Sequence, residues 1–179
     1  MKIVRMNFYK SKGKRFMKLN LSELIPLQHE LDERIMSLHN ESRLNTQLKR
    51  ILALVVEISE LANETRSFKY WSLKGASSKD VLLEEFSDSI HFILSLGIDL
   101  GYSQLIVECE DKEYDTSRLF LEWTEAAIKL MHDFNPSNYQ DCANYCAKIA
   151  YTLNFSELEV VEMYFKKNKK NHNRQDQAY

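Results

Sequence analysis

Glycine and proline are scarce in this chain, with four and two among 179 residues. Turn-rich β-sandwiches and barrels use both freely, so the scarcity points to helices joined by polar turns. No uninterrupted apolar run reaches the roughly 18 residues of a membrane span. The first residues are basic but lack the apolar core of a signal peptide. A cytoplasmic protein without membrane contact is therefore expected. A large excess of one charge is missing too: the formal net charge is −2, which gives no reason to expect direct nucleic-acid binding. Cys109, Cys142 and Cys146 are odd in number and show no CxxC spacing. Buried thiols in a reducing compartment are expected, not a zinc site or a disulfide.

What is present suits one globular domain: 44% of residues are hydrophobic and 28% charged, enough to build a core and keep it soluble. Residues 1–19 carry Lys2, Arg5, Lys10, Lys12, Lys14, Arg15 and Lys18 and no acid, and are expected to form a basic arm, either solvated or anion-binding. The main domain is expected over 20–165 and a basic tail over 166–179. Asn20 with Glu23 resembles a capping box, and Leu24, Leu27, Leu31, Ile35 and Leu38 recur at helical spacing. Gln28 and Asp32 lie beside that stripe, either as boundary polar residues or as ligand contacts. Further helices are expected over about 42–65, 78–100, 115–133, 135–153 and from Ser156, with a short helix and linker over 102–114. The fold class is all-α, an antiparallel helical bundle.

Four acids stand out. Glu57 and Glu60, then Glu85 and Asp88, are i,i+3 pairs set in the apolar stretches LALVVEISELA and VLLEEFSDSIHFILSLG. Such spacing puts two side chains about 60° apart on one helix face. Each pair lies roughly 7.5–9 Å from the loop joining the two helices, so antiparallel packing would bring all four to one height. They are then either solvent-facing acids on amphipathic helices or one carboxylate cluster. A cluster would be repulsive when empty, by about 4 kcal/mol per pair at 4 Å and an effective dielectric of 20. All-oxygen ligation without Cys or His favours Mg²⁺, with Mn²⁺ as a substitute. Phosphate-ester or phosphoanhydride cleavage is the implied chemistry. Lys69, Trp71 and Lys74 in the connecting loop, and Lys166, Lys167, Lys169, Lys170, His172 and Arg174 in the tail, could meet phosphates and a base; packing and a solubilising tail are the plainer alternatives.

Four motifs carry a family resemblance: LQHELD (27–32), EISELANE with FKYWSLK (57–74), LLEEFSDSIHF (82–92) and KNKKNHNRQDQAY (167–179). Together they make the chain resemble the dimeric all-α dUTPases, relatives of the MazG-like nucleotide pyrophosphohydrolases, from about Leu21 to Tyr179. The tail pattern KNxxNxxRQ is the most specific of them. The resemblance implies a MazG-like four-helix core, a homodimer, and Mg²⁺ held by Glu57, Glu60, Glu85 and Asp88. It implies Gln28, Trp71, His91, Phe92 and Asn171 around uracil and deoxyribose, with Asp32 where some relatives have Asn. Lys74, Lys167, Arg174 and Lys69 would hold phosphates, and Ala178 replaces an expected glycine. The expected activity is hydrolysis of dUTP, and of dUDP, to dUMP, with pyrophosphate released from dUTP. Glu60 is expected nearest the attacking water. Two alternatives are a house-cleaning enzyme for another base, such as dCTP, and a nucleotide-gated module with a regulatory protein partner, the latter motivated by the basic arm and the acidic 108–115 segment.

Overall fold

The sparse turn residues translate into long helices. The computed structural model describes residues 7–11 and 13–177, so Lys2, Arg5, Lys12, Ala178 and Tyr179 lie outside the described residues. Among those described are six α-helices: α1 (Ile25–Leu38), α2 (Arg43–Thr65), α3 (Lys79–Asp99), α4 (Thr116–His132), α5 (Pro136–Thr152) and α6 (Glu157–Asp176). Local chemistry sets several starts. Ser42 Oγ accepts from Asn45 N–H, Asp115 from Arg118 N–H and Asn135 from Asn138 N–H, with Pro136 at the first position of α5. Ser156 and Glu159 form a reciprocal capping box at α6. α2 stops where Arg66 turns left-handed at φ 57°.

α3 is the central helix. Leu82, Leu83, Phe86, Ile90, Ile93, Leu94 and Leu96 are all buried along it, and α1, α2, α5 and α6 pack around it. Each such side chain contributes about 1.5–3 kcal/mol when fully buried. Where α5 crosses, Gly97 leaves room for Tyr139: a Cβ at Gly97 would sit 2.2 Å from the tyrosine oxygen. That hydroxyl donates to the Ile93 carbonyl at 3.0 Å.

Four sequence expectations change. The fold is mainly helical but not purely so. Strands β1 (Asn7–Ser11), β2 (Lys14–Asn20) and β3 (Ile106–Glu110) form one antiparallel sheet in the order β1-β2-β3. β3 replaces the short helix expected within 102–114. Period-two alternation explains β2 and β3: Met17, Leu19, Val107 and Cys109 are buried, while Lys18 and Glu108 between them stay half-exposed. Residues 7–19, expected as a basic arm, thus supply core. Their cations also meet the acidic segment, with Lys18 against Glu108 and Arg15 against Asp111, both at 3.3 Å, and Lys14 against Glu110. The fourth change is at Asn20. Its side chain accepts from Ser22 N–H at 3.1 Å, but only a single 3₁₀ turn over Ser22–Leu24 follows, and α1 begins without a side-chain cap.

Residues 166–176 of the tail continue α6, which docks along α1. Arg34 bonds Asp176, and its Nη1 lies 3.1 Å from His172 Nδ1. All three cysteines are buried and free. Among the described residues, no helix is long and apolar enough to cross a membrane.

Candidate active site

α2 and α3 run antiparallel, and contacts at both ends of the pair set their register. At one end Arg50 Nη2 bonds Asp99 Oδ2 at 2.6 Å, and its Nη1 donates to the Ser95 carbonyl at 3.1 Å. At the other, the Glu64 carbonyl accepts from Ser77 N–H at 3.0 Å. Between these anchors Glu57, Glu85 and Asp88 converge, each offering a carboxylate oxygen within 4.8 Å of the others. Glu60, one turn further along α2, is exposed and lies outside that group of three; with Glu85, Asn63 and Glu64 it lines a shallow depression beside them.

The electrostatics are those of a site short of positive charge. Burial, followed by the charges of Asp88, Glu60 and Glu85, pushes the Glu57 carboxyl up to about 7. Glu85 is raised by burial and then by Asp88 and Glu60. Asp88 is raised because its burial outweighs Lys167, whose ammonium lies 2.6 Å away. Lys167 also bonds Glu84 at 3.0 Å, and Lys170 reaches Glu84 at 3.1 Å. Burial opposes the Lys167 charge, yet Asp88 and Glu84 hold its pKa above the usual lysine value. An oxygen-only, mutually repelling donor set of this kind fits a hard divalent cation.

One turn beyond Asp88, a second layer lies between α1, α3 and α6. Buried His91 places Nδ1 2.7 Å from Gln28 Oε1 and stacks on Tyr164 with ring centroids 4.2 Å apart. Tyr164 donates to the same Gln28 oxygen at 2.8 Å, and Gln28 Nε2 donates to Asp32 at 2.6 Å. Ser95 donates to the other Asp32 oxygen at 2.6 Å, and Arg43 ties Asp32 to Asp99. Gln28 and Asp32, boundary residues by pattern, are therefore interior. Burial raises the Asp32 pKa, against its donors Ser95 and Gln28 and the charges of Arg43 and Arg50.

Of the residues singled out in sequence, the fold gathers Glu57, Glu85, Asp88 and Lys167 into the first layer, and His91, Gln28 and Asp32 into the second. Phe92 is half-buried against the core. Asn171 accepts from Arg174 at 3.3 Å, and the Arg174 charge reaches Asp88. The loop residues stay apart from both layers within this chain. Lys69 bonds Asn63 at 2.5 Å, Lys74 is exposed, and Trp71, 65% exposed, packs edge-on against Tyr70 and Phe68. Sequence reasoning missed Glu84, Ser95, Asp99, Arg43 and Tyr164. One signal was available: Glu84, Asp88, His91, Ser95 and Asp99 follow each other at three- and four-residue steps, a polar stripe along one face of α3.

A family model described as dUTPase matches residues 20–179. The chain belongs to the dUTPase family. It is thus a dUTP diphosphatase of the all-α kind, and its reaction is the hydrolysis of dUTP. Divalent metal ions are general to dUTPases, and the three converging carboxylates are where this dUTPase can hold one. Residues 7–19 lie outside the matched region, although Met17 and Leu19 belong to its core. A search of curated proteins finds no match.

Proposed function

We propose that this dUTPase is magnesium-dependent, with Glu57, Glu85 and Asp88 as ligands and Glu60 completing the site, and that it acts on dUTP and dUDP to give dUMP, limiting uracil in DNA. The observation that carries this reading is the convergence of three carboxylates beside a buried lysine. Bound there, Mg²⁺, or Mn²⁺ in its place, would neutralise the acids and polarise phosphate oxygens. Glu60, exposed on the flank of the group, takes the proton of the attacking water. Lys167 and Arg174 hold phosphates from α6, and Lys69 and Lys74 from the α2–α3 loop. His91, Phe92, Gln28, Asn171 and Trp71 surround the nucleoside, with Asp32 behind Gln28.

The reading includes a cytoplasmic homodimer. Leu44, Leu48, Leu52 and Val56 form an i,i+4 stripe along α2 at 82%, 60%, 64% and 44% exposure. Leu121, Ile128 and Met131 on the neighbouring α4 are exposed as well. Exposed apolar residues on two helices packed together suit a second copy of the chain. The exposed loop with Trp71, Lys69 and Lys74 would then serve the partner's site.

The test is turnover of a panel of dUTP, dUDP, dCTP and dTTP with Mg²⁺, beside Glu60→Gln. Release of dUMP is expected, with a loss of about 100-fold in the variant. A wild-type protein that cleaves none of the panel, or a fully active variant, would sink the mechanism. Preference for dCTP would replace the base assignment. The paired charges of the β1–β2 hairpin and the 108–111 segment remove the main motive for a separate protein-binding role.

A further inference from the structure

Glu84 stands one turn before Asp88 on α3, and its ion-pair partners come from α6. One oxygen, Oε1, accepts from Lys167 Nζ at 3.0 Å and from Lys170 Nζ at 3.1 Å. Lys167 Nζ also lies 2.6 Å from Asp88 Oδ2. Tyr164, Lys167 and Lys170 thus meet His91, Asp88 and Glu84 in turn, and the rungs run in opposite order along the two helices. The two carboxylates that share Lys167 differ in what else they can do. Asp88 belongs, with Glu57 and Glu85, to the group that can hold a divalent cation. Glu84 is outside that group, and its side chain is 41% exposed. Lys167, 8% exposed, is bonded to both.

A lysine ammonium has three donors. Glu84 and Asp88 take two, and among the described residues no acceptor takes the third. In the metal-free protein this ammonium supplies part of the positive charge that the acids lack. It is also a competitor, because a divalent cation at Asp88 repels it. Were Asp88 its sole anion, cation binding would leave a buried ammonium unpaired, which is costly. Glu84 removes that obstacle. The charge of Asp88 can pass to the cation while Lys167 keeps a carboxylate 3.0 Å away. On the reading above, of the three acids as a cation site and Lys167 as a phosphate contact, we propose that Glu84 is a positioning residue that acts through Lys167. It retains the ammonium at the rim of the three-acid group when a divalent cation takes the charge of Asp88, and so eases both cation binding and the capture of a phosphate oxygen by Lys167.

The experiment titrates Mg²⁺ into the whole chain by calorimetry, without nucleotide, in wild type, Glu84→Gln, Lys167→Met and the double variant. Glu84→Gln should weaken binding about fivefold, the size of one partly exposed ion pair. Lys167→Met should tighten it, since the competing ammonium is gone. In the Lys167→Met background, Glu84→Gln should have little effect, because its action passes through the lysine. Equal weakening in both backgrounds would make Glu84 a direct contributor and overturn the proposal, as would a Glu84→Gln protein that binds Mg²⁺ like wild type. A second readout serves if Lys167→Met does not fold. In ¹⁵N-lysine spectra the wild-type Lys167 ammonium signal should shift on adding Mg²⁺ and stay visible, whereas in Glu84→Gln it should be lost to water exchange. A signal that survives Mg²⁺ in that variant overturns the proposal. At saturating Mg²⁺, Glu84→Gln should raise the KM for dUTP about fivefold at nearly constant kcat, with part recovered in Glu84→Asp. An unchanged KM overturns the phosphate half. A wild type that binds no Mg²⁺ would overturn the metal reading and this role together. Mg²⁺ binding with the expected cycle but no dUTP turnover would fail the dUTP reading and leave the action of Glu84 on the cation site standing.

Discussion

Glu57 shows how one side chain can register the state of the whole site. Its carboxyl is raised to about 7 because it is half-buried among three other acids. Folded, it binds a proton more tightly than it does unfolded. Between the ordinary glutamate range and about 7 the folded protein therefore holds the extra proton, and raising the pH through that window lowers the stability of the metal-free protein. Glu57→Gln removes the titration. Thermal melts of the metal-free variant should show a flatter dependence over about pH 5 to pH 8, and a higher Tm than wild type at the alkaline end. An unchanged slope would mean that another group carries it. The same variant should lose most Mg²⁺-supported dUTP turnover, since an amide is a weaker ligand for a hard cation. At this scale the sequence was informative about types and spacing: ExxE and ExxD were visible. It was silent on how unequal the four acids are, because the offset of Glu60 depends on how α2 faces α3. It also concealed Lys167, which reads as one of several tail lysines until burial sets it apart from exposed Lys166 and Lys169.

At the scale of elements, the β1–β2 hairpin and the α3–α5 crossing carry most of the risk. Leu19 is fully buried on β2, paired with Val107 of β3. Leu19→Ala should cost about 3 kcal/mol, by lost transfer energy and a residual cavity, read as a lower urea midpoint at unchanged m-value. An arm that merely decorated the surface would give a change near zero. The alternation KRFMKLN that marks this strand was legible, but the density of lysine and arginine drew the reading toward a solvated arm. At the crossing, Gly97→Ala would drive a methyl into Tyr139. Overpacking of this kind typically costs about 1–3 kcal/mol. Tyr139→Phe in the same chain should recover part of the loss by removing the oxygen nearest the new Cβ. A Gly97→Ala protein as stable as wild type would show that the two helices can separate freely. Nothing in the sequence around Gly97 distinguished this contact from an ordinary helical glycine.

The whole molecule presents an unpartnered apolar stripe on α2, the same helix that supplies Glu57 and Glu60. Leu48→Glu with Leu52→Glu places two charges on that stripe without touching the three-acid group. If a second copy covers it, light scattering after gel filtration should change from dimer to monomer, and turnover should fall because the Trp71 loop no longer serves a neighbouring site. A monomeric wild type, or a variant that remains dimeric, would move the interface elsewhere or remove it. The face is not apparent in sequence as an interface: Leu44, Leu48, Leu52 and Val56 recur at helical spacing, as the core positions of an amphipathic helix also do. Only the observed packing shows that Ile51, Leu54, Ile58 and Leu61 take the inward positions and leave the other stripe outside.

Sequence alone determined the helical class, most helix limits, the two carboxylate pairs and the motifs that resemble the dUTPase family. These properties are local: periodicity, caps and residue spacing act over a few turns, and the chain states them directly. Tertiary structure decided which three acids meet, that a tail lysine neutralises one of them, that residues 7–11, 14–20 and 106–110 form a sheet, and that His91 is held by residues from α1 and α6. Those outcomes depend largely on contacts between positions far apart in the chain, from 31 residues for Glu57 and Asp88 to 136 for Gln28 and Tyr164. Their energies come from burial and from complementary hydrogen-bonding groups, and neither exists until the helices have packed.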